Sequence, residues 1–317
     1  MTNRRRSSFS GFLHAISEIV EQADNVVLVD CMARGGQFPG ENSRCRDGNA
    51  VVTCYAEQEM VLTSAGLALA GKNVFVSAAA YPLAVARAYE QIRAAVAVPN
   101  LKVVLSSVHD GDVLNSEGAL RQMNEDFALM RALPNMSVLA PSDWQSAYCL
   151  TKSLVLHDGP VYIRLSFSET SDIYGEDDKD FQPGGGTLLT EGDGVTICAN
   201  GIMLEEALVA AKVLTAQGIA AEVIDCYSIK PLPVQMLLAS VRRTGCCVVA
   251  EKHSTIGGLY GAVAECLCRN YNIPVRSVAV EDSFGQSGMS DELQEYYGLT
   301  HREIVHNVVQ AWSMRRR

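Results

Sequence analysis

Along most of this chain, apolar runs of strand length alternate with stretches whose apolar residues recur at helical spacing. In the first half the runs are NVVLVD (25–30), NVFVSAA (73–79), LKVVLSS (101–107) and MSVLAP (136–141). Beyond the middle they are GVTICANG (194–201), AAEVIDC (220–226), CCVVAEK (246–252) and VRSVAV (275–280). Such alternation predicts an α/β fold of two domains, each a mostly parallel sheet flanked by helices. Between the two groups lies ETSDIYGEDDKDFQPGGG (169–186), acidic and Gly-rich with no apolar period. It reads as a linker between domains at 1–168 and 187–317, and its EDDKD run as a solvated loop rather than a metal site.

Composition fits that picture. A chain of 317 residues, 48% hydrophobic and 20% charged, can bury two cores. Its net charge of −10 argues against a non-specific nucleic-acid surface, and no interval resembles a recognition helix, so no nucleic-acid partner is expected. The basic start, MTNRRRSSF, is followed by no sustained apolar stretch, and reads as a short arm on a cytoplasmic protein with no membrane partner. Ten cysteines are scattered without a CxxC pair, mostly inside apolar runs, where a thiol serves as a small hydrophobe in a reducing compartment.

The candidate chemistry gathers at strand ends. Val29-Asp30-Cys31, SSVHDG (106–111) and AEKHSTIGG (250–258) each close a β run, and ligands of open α/β sheets sit outside the carboxyl ends of strands. No GxxxxGK[ST] loop is present, nor a GxGxxG between strand and helix, so triphosphate and dinucleotide sites are not supported. The stretch YAEQEMVLTSAGLALAG (55–71) sets Glu57 at the mouth of a helix apolar enough to predict burial. A carboxylate leaving water needs a hydrogen-bonding partner, here a polar group from outside the chain.

Together with ARAYEQIRAAVAVPNLKVVLSS, EDFALMRALPNMSVLAPSD, VIDCYSIKPL and AEKHSTIGGLYGAVAE, this stretch resembles the C-terminal half of a transketolase, from about Ser8 to the last helix. The resemblance implies a pyrimidine-binding domain for thiamine diphosphate followed by the family's C-terminal domain. The family's other half holds the diphosphate through magnesium, using GDG and an Asn some way downstream. Here the Gly192–Gly194 GDG runs straight into a strand with no such Asn, and reads as a turn. The resemblance thus implies a split enzyme. A second subunit would carry the diphosphate site and magnesium, the cofactor would be shared, and the assembly would be built on a core dimer, two-plus-two. No metal site is expected on this chain.

Residue by residue, the resemblance puts Glu57 against ring nitrogen N1′ of the aminopyrimidine, where an acid favours the tautomer that activates the cofactor. Tyr81 is the nearest candidate to stack on the pyrimidine, and Asp30 joins them at the cofactor. In the loop VHDGDVLNSEGALRQ (108–122), His109 falls on the family's donor-contacting histidine, Glu117 on an aspartate that meets sugar hydroxyls, and Arg121 replaces a second histidine. Arg87 matches an arginine lining the site of deoxyxylulose-phosphate synthases. Arg6 matches an arginine that binds the sugar phosphate, yet a further expected arginine is Phe167, while Arg34 stands where serine is usual. Glu251, His253 and the IGGLYG glycines, with FGQSG (284–288), resemble family loops expected to make subunit contacts.

The expected reaction is transfer of a two-carbon ketol unit from a ketose-type donor to an aldehyde, with an atypical substrate site. The departures around His109, Arg121 and Phe167 keep open a donor such as pyruvate or another 2-oxo acid, as in synthases and dehydrogenase beta chains. A non-catalytic partner or scaffold that kept the fold is the third reading.

Overall fold

A computed structural model describes residues 5–31, 51–54, 56–78, 84–108, 118–120 and 122–315. Its strands are β1 (Arg5–Ser7), β2 (Val26–Cys31), β3 (Val51–Cys54), β4 (Asn73–Ala78), β5 (Val103–Val108), β6 (Ser137–Leu139), β7 (Val161–Leu165), β8 (Glu169–Ser171), β9 (Thr187–Thr190), β10 (Val195–Ala199), β11 (Ala221–Asp225), β12 (Ser228–Lys230), β13 (Cys247–Ser254) and β14 (Val275–Val280). The longer helices are α1 (Ser8–Gln22), α2 (Glu57–Leu69), α3 (Asp126–Ala132), α4 (Trp144–Ser153), α5 (Met203–Ala216), α6 (Val234–Thr244), α7 (Leu259–Asn270), α8 (Ser290–Tyr296) and α9 (His301–Met314).

The strand runs read from sequence form two sheets. One orders β12-β6-β7-β5-β4-β2-β3 and the other β14-β13-β10-β11-β9. All pairings are parallel except those of β12 with β6 and β9 with β11. In the first sheet the period of two divides the side chains. Val27, Val29, Val74 and Val76 face α2 and α3, whereas Val26, Leu28 and Phe75 face α1 and α4. The first of these layers continues without a break into Cys198, Ile224, Val249 and Val263 of the second sheet and its helices.

Helix α1 starts at Ser7, whose hydroxyl accepts from the Ser10 amide at 3.2 Å. It can approach α4 closely because residue 11 is glycine: a Cβ there would fall 2.3 Å from the Trp144 carbonyl oxygen. Asp143 caps α4 by accepting from the Ser146 amide at 2.8 Å. Its other oxygen takes the Ile173 and Tyr174 amides, both at 2.9 Å.

The acidic interval between the halves is therefore more ordered than its composition suggests. The EDDKD residues are exposed, as expected of a solvated loop, but Tyr174 and Phe181 on either side of them are buried. Tyr174 donates to Asp225 at 2.7 Å, and β8 pairs antiparallel with β1. Two aromatic anchors seven residues apart make no helical or strand period, so a pattern search does not find them. The GDG does turn into β10, with the Gly194 amide donating to the Ala220 carbonyl at 2.8 Å. The eight cysteines whose side chains are described are free thiols, six of them buried. No helix among the described residues is long and apolar enough to cross a membrane.

Helix α2 departs from its expected burial. Met60, Val61, Ser64 and Ala65 pack inward, but Leu62 is 52% and Leu69 72% exposed. A helix lying on a sheet buries one stripe only, and here the opposite stripe is also apolar.

Candidate active site

Because β2, β3, β4, β5 and β7 run parallel, their carboxyl ends share one edge of the sheet. Asp30 lies near that edge in β2, paired with Thr53 and Ser77 through the backbone, which alone is described there. Glu57 follows β3 and opens α2, so its carboxylate stands at the same edge in the first helical turn, where the helix dipole favours negative charge. Its side chain is 13% exposed. No described residue hydrogen-bonds the carboxylate; among the described residues its ion-pair partner is Arg87, whose NH1 lies 3.8 Å from Oε1. Gln58 fixes that neighbour's backbone, donating from Nε2 to the Arg87 carbonyl at 2.9 Å. The geometry thus brings Glu57 and Arg87 together. Tyr81, Arg34, His109, Glu117 and Arg121 lie outside the described residues.

Arg6 is engaged elsewhere. Its guanidinium forks onto Asp172, Nε to Oδ1 at 3.1 Å and NH2 to Oδ2 at 3.0 Å, and lies 4.0 Å from the centroid of the Trp144 ring. The N–H pair that would grip a phosphate is already on a carboxylate. Phe167, where the family arginine was expected, packs edge-on against Phe9 at 4.9 Å.

Beneath β5 runs a buried polar network that sequence reading missed. Ser107, two residues before His109, shares a 2.5 Å hydrogen bond with the Tyr162 hydroxyl. Tyr162 donates to Asp126 at 2.5 Å, and Arg164 donates to both oxygens of that carboxylate, at 2.9 and 2.5 Å. Burial, then the Asp126 charge, pushes the Tyr162 hydroxyl well above its ordinary range. Arg164 crosses into the second domain, donating from NH1 to the Lys252 carbonyl at 2.6 Å. Asp126 and Arg164 lie 38 residues apart within motifs that read as fold signals, and nothing local marks them as partners.

Glu251 and His253 were expected to make subunit contacts, but here they are fully buried inside the chain, whereas Phe284 of FGQSG is exposed. Glu251 caps α7, accepting the Leu259 and Tyr260 amides at 2.7 and 2.8 Å; burial nevertheless outweighs those bonds and raises its pKa to about 7. His253 stacks on Phe127 at 5.1 Å, with Nδ1 2.6 Å from the Ser254 carbonyl and Nε2 accepting the Ala128 amide at 3.4 Å. Those partners require neutral imidazole with hydrogen on Nδ1, and burial lowers its pKa to about 4. The FGQSG loop meets the end of the 108–122 segment, where Gln122 donates to the Gln286 carbonyl at 2.9 Å. Gly285 allows this approach, since a Cβ there would fall 1.6 Å from Gln122 Oε1. Among the described residues no group of three His, Cys, Asp or Glu side chains has metal-holding geometry.

The chain thus forms two domains on mostly parallel sheets, with a shielded carboxylate opening a helix at the carboxyl edge of the first. The family profile described as transketolase, pyrimidine binding domain, matches residues 7–171, and that of the transketolase C-terminal domain matches 184–304. The chain belongs to the transketolase family. It is similar to a putative transketolase C-terminal section of Methanocaldococcus jannaschii, 37% identical over 310 residues, covering 95% of this chain and 94% of the relative. It is also similar to the 6-deoxy-6-sulfo-D-fructose transketolase subunit SqwH of a Clostridium species, 36% identical over 307 residues, 96% and 95% covered. A solved structure described as a split gene transketolase, inactive beta4 tetramer, superposes with a TM-score of 0.88 at 38% identity, covering 98% of this chain and 99% of that one.

Proposed function

We propose that this chain is the pyrimidine-binding subunit of a two-component, thiamine-diphosphate-dependent transketolase that moves a two-carbon ketol unit from a ketose-type donor to an aldehyde. The observation that carries the reading is Glu57: a largely shielded carboxylate in the first turn of α2, without a hydrogen-bond partner among the described residues. A protonated ring nitrogen is the partner such a group lacks. Thiamine diphosphate, when bound, supplies the electron sink for carbon–carbon bond cleavage and formation. Glu57 shares a proton with N1′ of the aminopyrimidine and so sets which nitrogen of that ring acts as base. Arg87, half exposed, places a cation beside it at the same edge of the sheet. The diphosphate and magnesium are held by a second subunit carrying GDG and a downstream Asn. Self-association into a core dimer is supported by the uncovered apolar stripe of α2, Leu62 and Leu69.

One observation favours a second reading in which the donor is a 2-oxo acid. With Arg6 forked onto Asp172 and Phe167 packed on Phe9, neither position offers a free cation to a sugar phosphate. Among the relatives, one is named for a sulfo-sugar and another, from Phocaeicola vulgatus, for apulose 4-phosphate, so the anionic group varies across names in this family.

The test is reconstitution. The purified chain is mixed with a candidate diphosphate-domain subunit, and thiamine-diphosphate binding and ketol transfer are followed with hydroxypyruvate, ketose phosphates and pyruvate as donors. Transfer that vanishes in Glu57→Ala supports the mechanism, and full activity in that variant would sink it. A native complex that binds no cofactor points to a scaffold instead.

A further inference from the structure

At the seam between the two domains a cleft of about 350 Å³ opens between the end of α3, strand β12 and helix α7. That volume falls in the range of small-molecule sites, which favour domain interfaces. Its apolar wall is Leu232, Val234 and Ala262. Three cations, Arg131, Lys230 and Arg269, face it together with a single carboxylate, Glu265.

The charges do not balance. Glu265 is taken by Arg131, NH2 to Oε2 at 3.0 Å, while NH1 of the same guanidinium donates to the Gly257 and Gly258 carbonyls at 2.5 and 3.1 Å. Lys230 donates from Nζ to the Arg131 carbonyl at 2.9 Å and to the Leu133 carbonyl, which leaves one ammonium hydrogen. Among the described residues no carboxylate lies within salt-bridge distance of Lys230 or Arg269. Burial, and then the neighbouring Arg131, lower the Lys230 pKa, as expected of a half-buried cation without a counterion. Two positive charges beside an apolar wall are stabilised by an oxyanion that carries its own apolar part.

We propose that this seam cleft binds a small organic anion, a phosphate- or carboxylate-bearing metabolite, with its charged group between Lys230 and Arg269 and its apolar part against Leu232, Val234 and Ala262. The residues assigned to the ligand all belong to the second half of the chain, and Arg131 of the first half lines the cleft beside them, so a bound anion adds to the stability of the folded chain by mass action. The proposal does not depend on the transferase reading.

The full chain is titrated by calorimetry with butyl phosphate, hexanoate and inorganic phosphate, and its melting temperature is followed in parallel. Saturable binding of butyl phosphate or hexanoate with Kd at or below about 1 mM is expected, with a rise in melting temperature. Tighter binding of butyl phosphate assigns the phosphate, and tighter binding of hexanoate the carboxylate. Arg269→Glu, an exposed substitution in the last turn of α7, weakens binding at least about tenfold, because it replaces an attraction with a repulsion. Arg302→Glu, which changes net charge equally on α9, leaves binding unchanged. The proposal is overturned if none of the three anions binds saturably, or if Arg269→Glu binds as the unaltered protein does.

Discussion

Arg87 stands beside Glu57 with 3.8 Å between NH1 and Oε1, one side chain half exposed and the other nearly out of water. An ion pair this exposed on one side contributes at most about 1 kcal/mol to stability. Arg87→Ala is therefore expected to melt within a few degrees of the unaltered chain, yet to lower kcat/KM for the donor in the reconstituted complex. Glu57→Gln keeps the fold and the size of the group but cannot share the ring proton, and a loss of about 10²–10⁴-fold in transfer rate is expected. A calorimetric scan beside steady-state kinetics checks both. Equal activity of Glu57→Gln and the unaltered chain would contradict the assigned role.

Asp126 is 0% exposed and accepts two hydrogen bonds from Arg164 and one from Tyr162 among its contacts with the described residues. Asp126→Asn leaves a buried guanidinium without its counterion, and about 3–5 kcal/mol of stability is expected to be lost. The double variant Asp126→Asn, Arg164→Met removes the orphaned charge as well, and should recover part of that loss. Urea unfolding of the two singles and the double gives the coupling energy. Strict additivity would mean that the pair does not hold the seam.

The strands of both sheets were legible because a parallel sheet buries each strand on two faces, so apolar runs such as NVVLVD and CCVVAEK carry their own signature. The place of Glu57 at the head of α2 was legible because an acid heading an apolar run is chemically odd and stands in a long motif. What stayed hidden depends on distant partners. The Asp126–Arg164 pair, the anchoring of Tyr174 on Asp225 and the contact of Gln122 with Gln286 each join residues far apart in sequence. The uncovered stripe of α2 was misread for a related reason, since apolar composition measures what a helix is able to bury but not what covers it.

Two glycines separate close packing from open space. A Cβ at Gly258 would fall 2.2 Å from Glu251 Oε2 and 2.6 Å from His253 Nδ1, both fully buried, so neither neighbour has room to yield. Gly258→Ala is expected to destabilise by about 1–3 kcal/mol. Gly66 in α2 has nothing within 4 Å of its Cβ position, and Gly66→Ala should stabilise the isolated chain by about 0.5–1 kcal/mol through helix propensity. Opposite shifts in urea midpoint are the expected result, and a neutral Gly258→Ala would show that the Glu251 cap is looser than its bond lengths imply.

Asp225 is buried at the end of β11 with only hydroxyl donors, Tyr174 at 2.7 Å and Ser142 at 2.9 Å. Burial outweighs those two bonds and raises its pKa from 3.8 to about 7. Between those values the folded protein holds a proton that the unfolded chain has released, so the contribution of Asp225 to stability is greatest in acid and falls as pH rises from about 4 to about 7. Glu251, also raised to about 7, changes in the same direction, while His253, lowered to about 4, opposes them below its ordinary 6.5. A single pH curve therefore mixes three groups, and the difference between the unaltered chain and Asp225→Asn isolates one. The asparagine matches the protonated acid in shape and never ionises, so its stability relative to the unaltered chain should rise by about 2–3 kcal/mol between pH 5 and pH 8. Urea unfolding at the two pH values measures this, and a difference that does not change with pH would mean that Asp225 is ionised throughout, with water or a cation reaching it beside Tyr174.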